Sequence, residues 1–124
     1  MRKQHFIVAV ILLIFGSMAM AQDVKVKTGI EVLRERNFDV LQGKRVGLCT
    51  NPTGVDRHLV STIDILWEAD NVNLVALYGP EHGVRGNIYA GDHVDNEVDA
   101  RTGLKMYSLY GKTSKPTQEM MDEI

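Results

Sequence analysis

The stretch NVNLVALYGPEHGVRG, residues 71–86, decides the fold. Val72 and the run Leu74–Leu77 are apolar almost without a break. A strand with one wet face alternates apolar and polar residues, whereas a strand covered on both faces does not. The run therefore reads as a buried strand of a parallel sheet, spanning 71–79. It passes directly into Pro80, Glu81, His82, Gly83, Arg85 and Gly86. An acid, an imidazole and a guanidinium in one glycine-rich turn allow three readings: a catalytic loop, a metal site, or a turn held by its own charges.

Upstream, RVGLCT (45–50) is a second short apolar run with strand character. Between the two lies LVSTIDILWEAD (59–70), where Leu59, Ile63, Leu66 and Trp67 recur at helical spacing. Strand, helix and strand joined by a crossover of this length read as a βαβ unit of an α/β fold. Its two polar loops, NPTGVDRH (51–58) and the one after Gly79, then leave the carboxyl ends of neighbouring strands. That edge of an open α/β sheet is where ligands bind, so the loops are expected to face one crevice. Further out, TGIEVLRERNFDVLQGK (28–44) predicts a helix capped by Thr28 and closed by Gly43. VDNEVDARTG (94–103) is polar and turn-rich, LKMYSLYG (104–111) reads as a third strand, and 114–124 as a helix start with Thr117 as N-cap.

The chain has 124 residues and fits one domain at most. It opens with the basic segment Met1–His5, then the apolar run FIVAVILLIF (6–15), then Ala19-Met20-Ala21. This is the layout of a secretory signal peptide over 1–21, with Gln22 as the first mature residue and an apolar run too short for a permanent membrane span. Removing it takes Arg2 and Lys3 from the 14 cations and none of the 16 acids, so the net charge moves from −2 to −4. A mildly acidic domain argues against a nucleic-acid partner. The single cysteine, Cys49, excludes an internal disulfide, and in an apolar run it reads as a small packed hydrophobe. The final segment has no helix end and no following strand, so 22–124 is expected to be the N-terminal part of a larger domain and unstable alone.

Several side chains can carry chemistry. Glu81, beside Leu77 and Tyr78, becomes a general acid if desolvation raises its pKa. The plainer reading is a Glu81–Arg85 salt bridge that pins the loop. His82 can orient Glu81, touch substrate or ligate a metal. Glu81, His82, Asp92 and His93 form a conceivable metal set, but the spacing matches no standard pattern, and no metal is expected. Arg85 suits bidentate capture of a substrate carboxylate. Gly83, Gly86 and Gly91 allow close backbone approach or plain turns. Asn51, Thr53, Asp56 and Arg57 can bond a polar ligand, although capping and turn chemistry is the better account of Asp56. Tyr78, Tyr89, Tyr107 and Tyr110 can stack on a sugar ring or pack in the core. No dinucleotide or nucleotide-binding glycine loop is present, so no cofactor is expected.

The segments GKRVGLCTNPTGVDRHLVSTIDIL, VNLVALYGPEHGVRGNIYAGDHV and TGLKMYSLYGKTSKPTQEMM together resemble the N-terminal part of the exo-β-N-acetylmuramidase (NamZ-type) glycoside hydrolases. The resemblance covers about residues 30–124. It implies a Rossmann-like catalytic domain followed by a smaller second domain, with the site in the cleft between. It also implies an exported enzyme that removes N-acetylmuramic acid from non-reducing ends of peptidoglycan fragments. On this resemblance Glu81 is the catalytic glutamate, with His82 beside it, and Asn51, Thr53, Gly83 and Arg85 line the substrate pocket. Arg85 would then meet the lactyl carboxylate of muramic acid. The alternatives are a non-catalytic sugar-binding module and a metal-dependent hydrolase.

Overall fold

The computed structural model describes residues 26–86 and 96–124. The leader at 1–21, together with Tyr89, Gly91, Asp92 and His93, lies outside the described residues. Helix α1 is Gly29–Glu35 and strand β1 is Arg45–Cys49. Helix α2, Thr62–Trp67, leads into β2, Asn73–Gly79. Then follow β3, Glu97–Val98, β4, Lys105–Ser108, and helix α3, Gln118–Met121. The sheet order is β1-β2-β4-β3, with β1, β2 and β4 parallel and β3 antiparallel on β4. The architecture is α/β, as expected, with a mixed rather than fully parallel sheet. The two-residue β3 sits inside the segment read as polar turn, too short to show a period of two.

Helix α1 stops well before Gly43, and Asn37 is the reason. Asn37 and Phe38 take the left-handed conformation, at φ 53° and 52°. The Phe38 amide donates to the Leu33 carbonyl and the Asn37 amide to the Arg34 carbonyl, both at 2.9 Å. That is a Schellman cap, with Asn in the place usually held by Gly and an apolar residue following it. Phe38 is thereby turned into the core. At the other end the expected Thr28 start holds: the Glu31 carboxylate accepts from the Thr28 amide and hydroxyl.

Helix α2 is also shorter than its apolar spacing suggests. Ser61 caps it, accepting from the Ile63 amide at 3.2 Å. Leu59 falls outside it, with φ 62° and 80% exposure, and Trp67 is 43% exposed. The buried face is Ile63, Ile65 and Leu66, with one acid among them, Asp64.

The sheet register slips once. Val46 pairs with Leu74 but Gly47 pairs with Ala76, leaving Val75 as an extra residue in β2. The slip puts Leu74 and Leu77 on one face, where they join Val46, Leu48, Met106 and the apolar sides of α1 and α2. The opposite face carries Tyr78 and Tyr107, stacked at 5.6 Å. The C-terminal segment covers it. Tyr78 Oη donates to the Met120 carbonyl at 2.6 Å, and Ile124 lies over Gly47. Burial on both faces is what the unbroken apolar run of β2 implied. Cys49, in contrast, is exposed at the end of the edge strand β1. The last residue of a strand is where the cover from flanking helices runs out.

Candidate functional site at the carboxyl edge of the sheet

Both polar loops leave the carboxyl ends of β1 and β2, and they touch. A Cβ added at Gly86 would lie 2.9 Å from Pro52 Cγ, and Gly86 has φ 75°. Only a residue without a side chain fits there, so Pro52 of the first loop and Gly86 of the second lock the crevice together. The second loop folds back tightly on its own strand. A Cβ at Gly79 would come within 3.3 Å of Gly83 Cα and Val84 Cγ1. His82 and Gly83 are consecutive left-handed residues, at φ 72° and 69°. For histidine that conformation is uncommon and has an energetic cost. The fold holds the segment in this shape by burying Gly83 and Val84 behind it.

Glu81 is exposed at the tip of this turn and forms no hydrogen bond or ion pair with any described residue. The desolvated setting expected beside Leu77 and Tyr78 is not found, because Leu77 points into the core and Tyr78 to the opposite face. His82 is half-buried next to it. On the first loop, Asn51 Oδ1 accepts from the Thr53 amide and hydroxyl at 3.2 and 2.9 Å. This turn orders the loop and leaves both residues exposed at the crevice. Asp56 is buried and accepts from the His58 and Val60 amides, so its role is turn chemistry, as read. Arg57 pairs with Glu31 of α1. Among the described residues no group of three His, Cys, Asp or Glu is arranged to hold a metal ion.

Arg85 does not pair with Glu81. Its Nε and one Nη donate to the two oxygens of Asp99 at 2.8 and 3.0 Å. Its other Nη lies 2.9 Å from Asp64 Oδ1, close enough for an ion pair but off the direction of a hydrogen bond. Asp64 Oδ2 accepts from Arg101 at 2.9 Å, and Arg101 reaches Glu68 at 2.8 Å. Thr102 closes the cluster by donating its amide and hydroxyl to Asp99 Oδ2. The sequence reading missed Asp64 and Asp99. A signal was present: an acid on the buried face of TIDILW needs a cation, because an unpaired buried charge is costly.

The Arg85 bonds hold the Asp99 carboxyl down at about 2, with help from Thr102 and against the upward push of burial. Asp99 likewise raises Arg85 above its ordinary value. A carboxyl depressed on folding adds stability that is complete above its unfolded pKa, about 4, and is lost as pH falls toward 2. The difference corresponds to about 2 kcal/mol at neutral pH. Acid titration of stability should show that loss between about pH 4 and 2, and Asp99→Asn should flatten it. A D99N protein with the parent's acid profile would show that the pair is not coupled to folding.

Buried α/β core, paired polar loops at the carboxyl edge and a strained turn with an exposed acid define an α/β domain whose polar loops stand at the edge where open α/β sheets bind ligands. Its family follows from comparison with known proteins. Residues 46–124 match the model described as exo-beta-N-acetylmuramidase NamZ, N-terminal, and the chain belongs to that family. The peptidoglycan beta-N-acetylmuramidase NamZ of Bacillus subtilis (strain 168) is 45% identical over 135 residues, covering all of this chain and 33% of its own length. A crystal structure of a DUF1343 family protein from Bacteroides fragilis NCTC 9343 is 69% identical and superimposes with a TM-score of 0.71. It covers 79% of this chain and 24% of its own. This chain thus spans about a third of the curated relative. Among the described residues no helix is long and apolar enough to cross a membrane.

Proposed function

We propose that this chain forms the N-terminal part of an exported glycoside hydrolase that releases N-acetylmuramic acid from non-reducing ends of peptidoglycan fragments. Kinship to a peptidoglycan β-N-acetylmuramidase supports the substrate class. The leader pattern of residues 1–21 supports export. The observation that carries the reading is the state of Glu81. Asp64 and Asp99 are neutralised by arginines, whereas Glu81 stands exposed at the strand's carboxyl end on the strained turn. It is the carboxyl group of this loop left for a ligand. A sugar seated over the turn would bring its glycosidic oxygen within reach of this carboxyl group, the place that a general acid must occupy. His82 and Gly83 on the second loop and Asn51 and Thr53 on the first, two loops that meet at Gly86 and Pro52, are the residues proposed to hold the sugar.

The test is turnover of a chromogenic N-acetylmuramic acid β-glycoside by the whole protein, with the N-acetylglucosamine analogue as control and a chelator in parallel. Release from the muramic acid substrate alone, unaffected by chelator, is expected. Binding without turnover would make this a sugar-binding module, and loss of turnover with chelator would make it a metal-dependent hydrolase.

A further inference from the structure

The geometry points to Asp64 and Asp99 as positioning residues that clamp Arg85 and so hold the Glu81–His82 turn in its strained shape. Arg85 is then a bolt of the site and not its substrate ligand. The inference rests on the proposed reading for its kinetic part only.

A guanidinium grips a carboxylate through two parallel N–H groups, and it has two such forks. In Arg85 the fork made by Nε and one Nη is filled by Asp99. The other Nη, needed for the second fork, faces Asp64. No complete fork is left for a lactyl carboxylate. Charge argues the same way. Arg85 and Arg101 stand among Asp64, Asp99 and Glu68, so the cluster is net negative, and an incoming carboxylate would meet repulsion there.

The same contacts explain what the cluster does. Asp64 belongs to α2, Asp99 to the turn between β3 and β4, and Arg85 to the loop between them in space. Asp99 is itself fixed, its amide donating to the Leu104 carbonyl and its carbonyl accepting from the Gly103 amide. Arg85 therefore ties the loop to two independent elements only three residues after His82. A left-handed histidine persists only where its surroundings over-determine it. The clamp at Arg85 and the Gly86–Pro52 contact next to it, both following His82, provide that.

Asp99→Asn and Arg85→Lys in the whole protein test this, the first keeping shape and the second keeping charge. Both should lower kcat on the muramic acid glycoside by on the order of 10²-fold. KM and the preference for muramic acid over N-acetylglucosamine should stay unchanged. Hydrogen exchange at the amides of residues 81–86 should accelerate in both variants, while the Leu74–Leu77 amides stay protected. A raised KM confined to the muramic acid substrate, with loop exchange unchanged, would restore Arg85 as the carboxylate ligand and overturn the proposal. Unchanged loop exchange in both variants would overturn it as well. If the unsubstituted protein shows no turnover, the functional reading fails, and the exchange measurement still decides the clamp.

Discussion

Replacing Glu81 by Gln should cut turnover of a muramic acid glycoside by about 10²–10⁴-fold, the usual worth of general acid catalysis. Gln keeps the shape of the side chain and removes the proton it would deliver to the glycosidic oxygen. The loss should be largest with a poor leaving group. It should shrink with an activated aryl leaving group, which departs with little protonation. Folding should be unaffected, because Glu81 is exposed and bonds no described residue. This separates catalysis from the salt-bridge reading of the loop. Had Glu81 paired with Arg85, the substitution would also lower stability, but Arg85 is occupied by Asp99 and Asp64. Equal losses on both leaving groups, with a lower melting temperature, would remove Glu81 from the acid role. The inverting or retaining outcome depends on the second carboxyl group and its separation from the first.

The second large effect should come from the core. Leu77 is fully buried, pairs in register with Leu48 and Met106, and lies in the cluster with Ile63 and Leu66. Leu77→Ala removes buried methyl groups and leaves a cavity the flanking strands cannot close, which costs about 2–5 kcal/mol. A small domain has little more than that in total. Leu59→Ala is the control. Apolar spacing places Leu59 on the same helix face as Ile63, but it is 80% exposed before the helix begins, so its loss should be within about 0.5 kcal/mol. Chemical denaturation of the whole protein carrying each substitution measures both. Comparable losses at the two positions would contradict the register of β2 and the start of α2.

The sequence alone determined the βαβ unit. The unbroken run Leu74–Leu77 demands cover on both faces, and two such strands around a helix admit few topologies. It also determined that the loops after β1 and β2 share one edge, which the contact between Pro52 and Gly86 realises. Turn and cap chemistry was legible where it is local: Asp56 in its own turn, Thr28 and Thr117 at helix starts. The tertiary structure decided the rest. Periodicity ran α1 on to Gly43, because an asparagine in left-handed conformation leaves no mark on hydrophobic spacing. The same limit put Leu59 and Trp67 on a buried face. The partner of Arg85 was the largest change. Glu81 is its neighbour in sequence, whereas Asp64 and Asp99 lie 21 and 14 residues away. Ion pairing is set by distance in space, and a half-buried guanidinium takes the acids that folding buries with it, not the one that sequence places nearest.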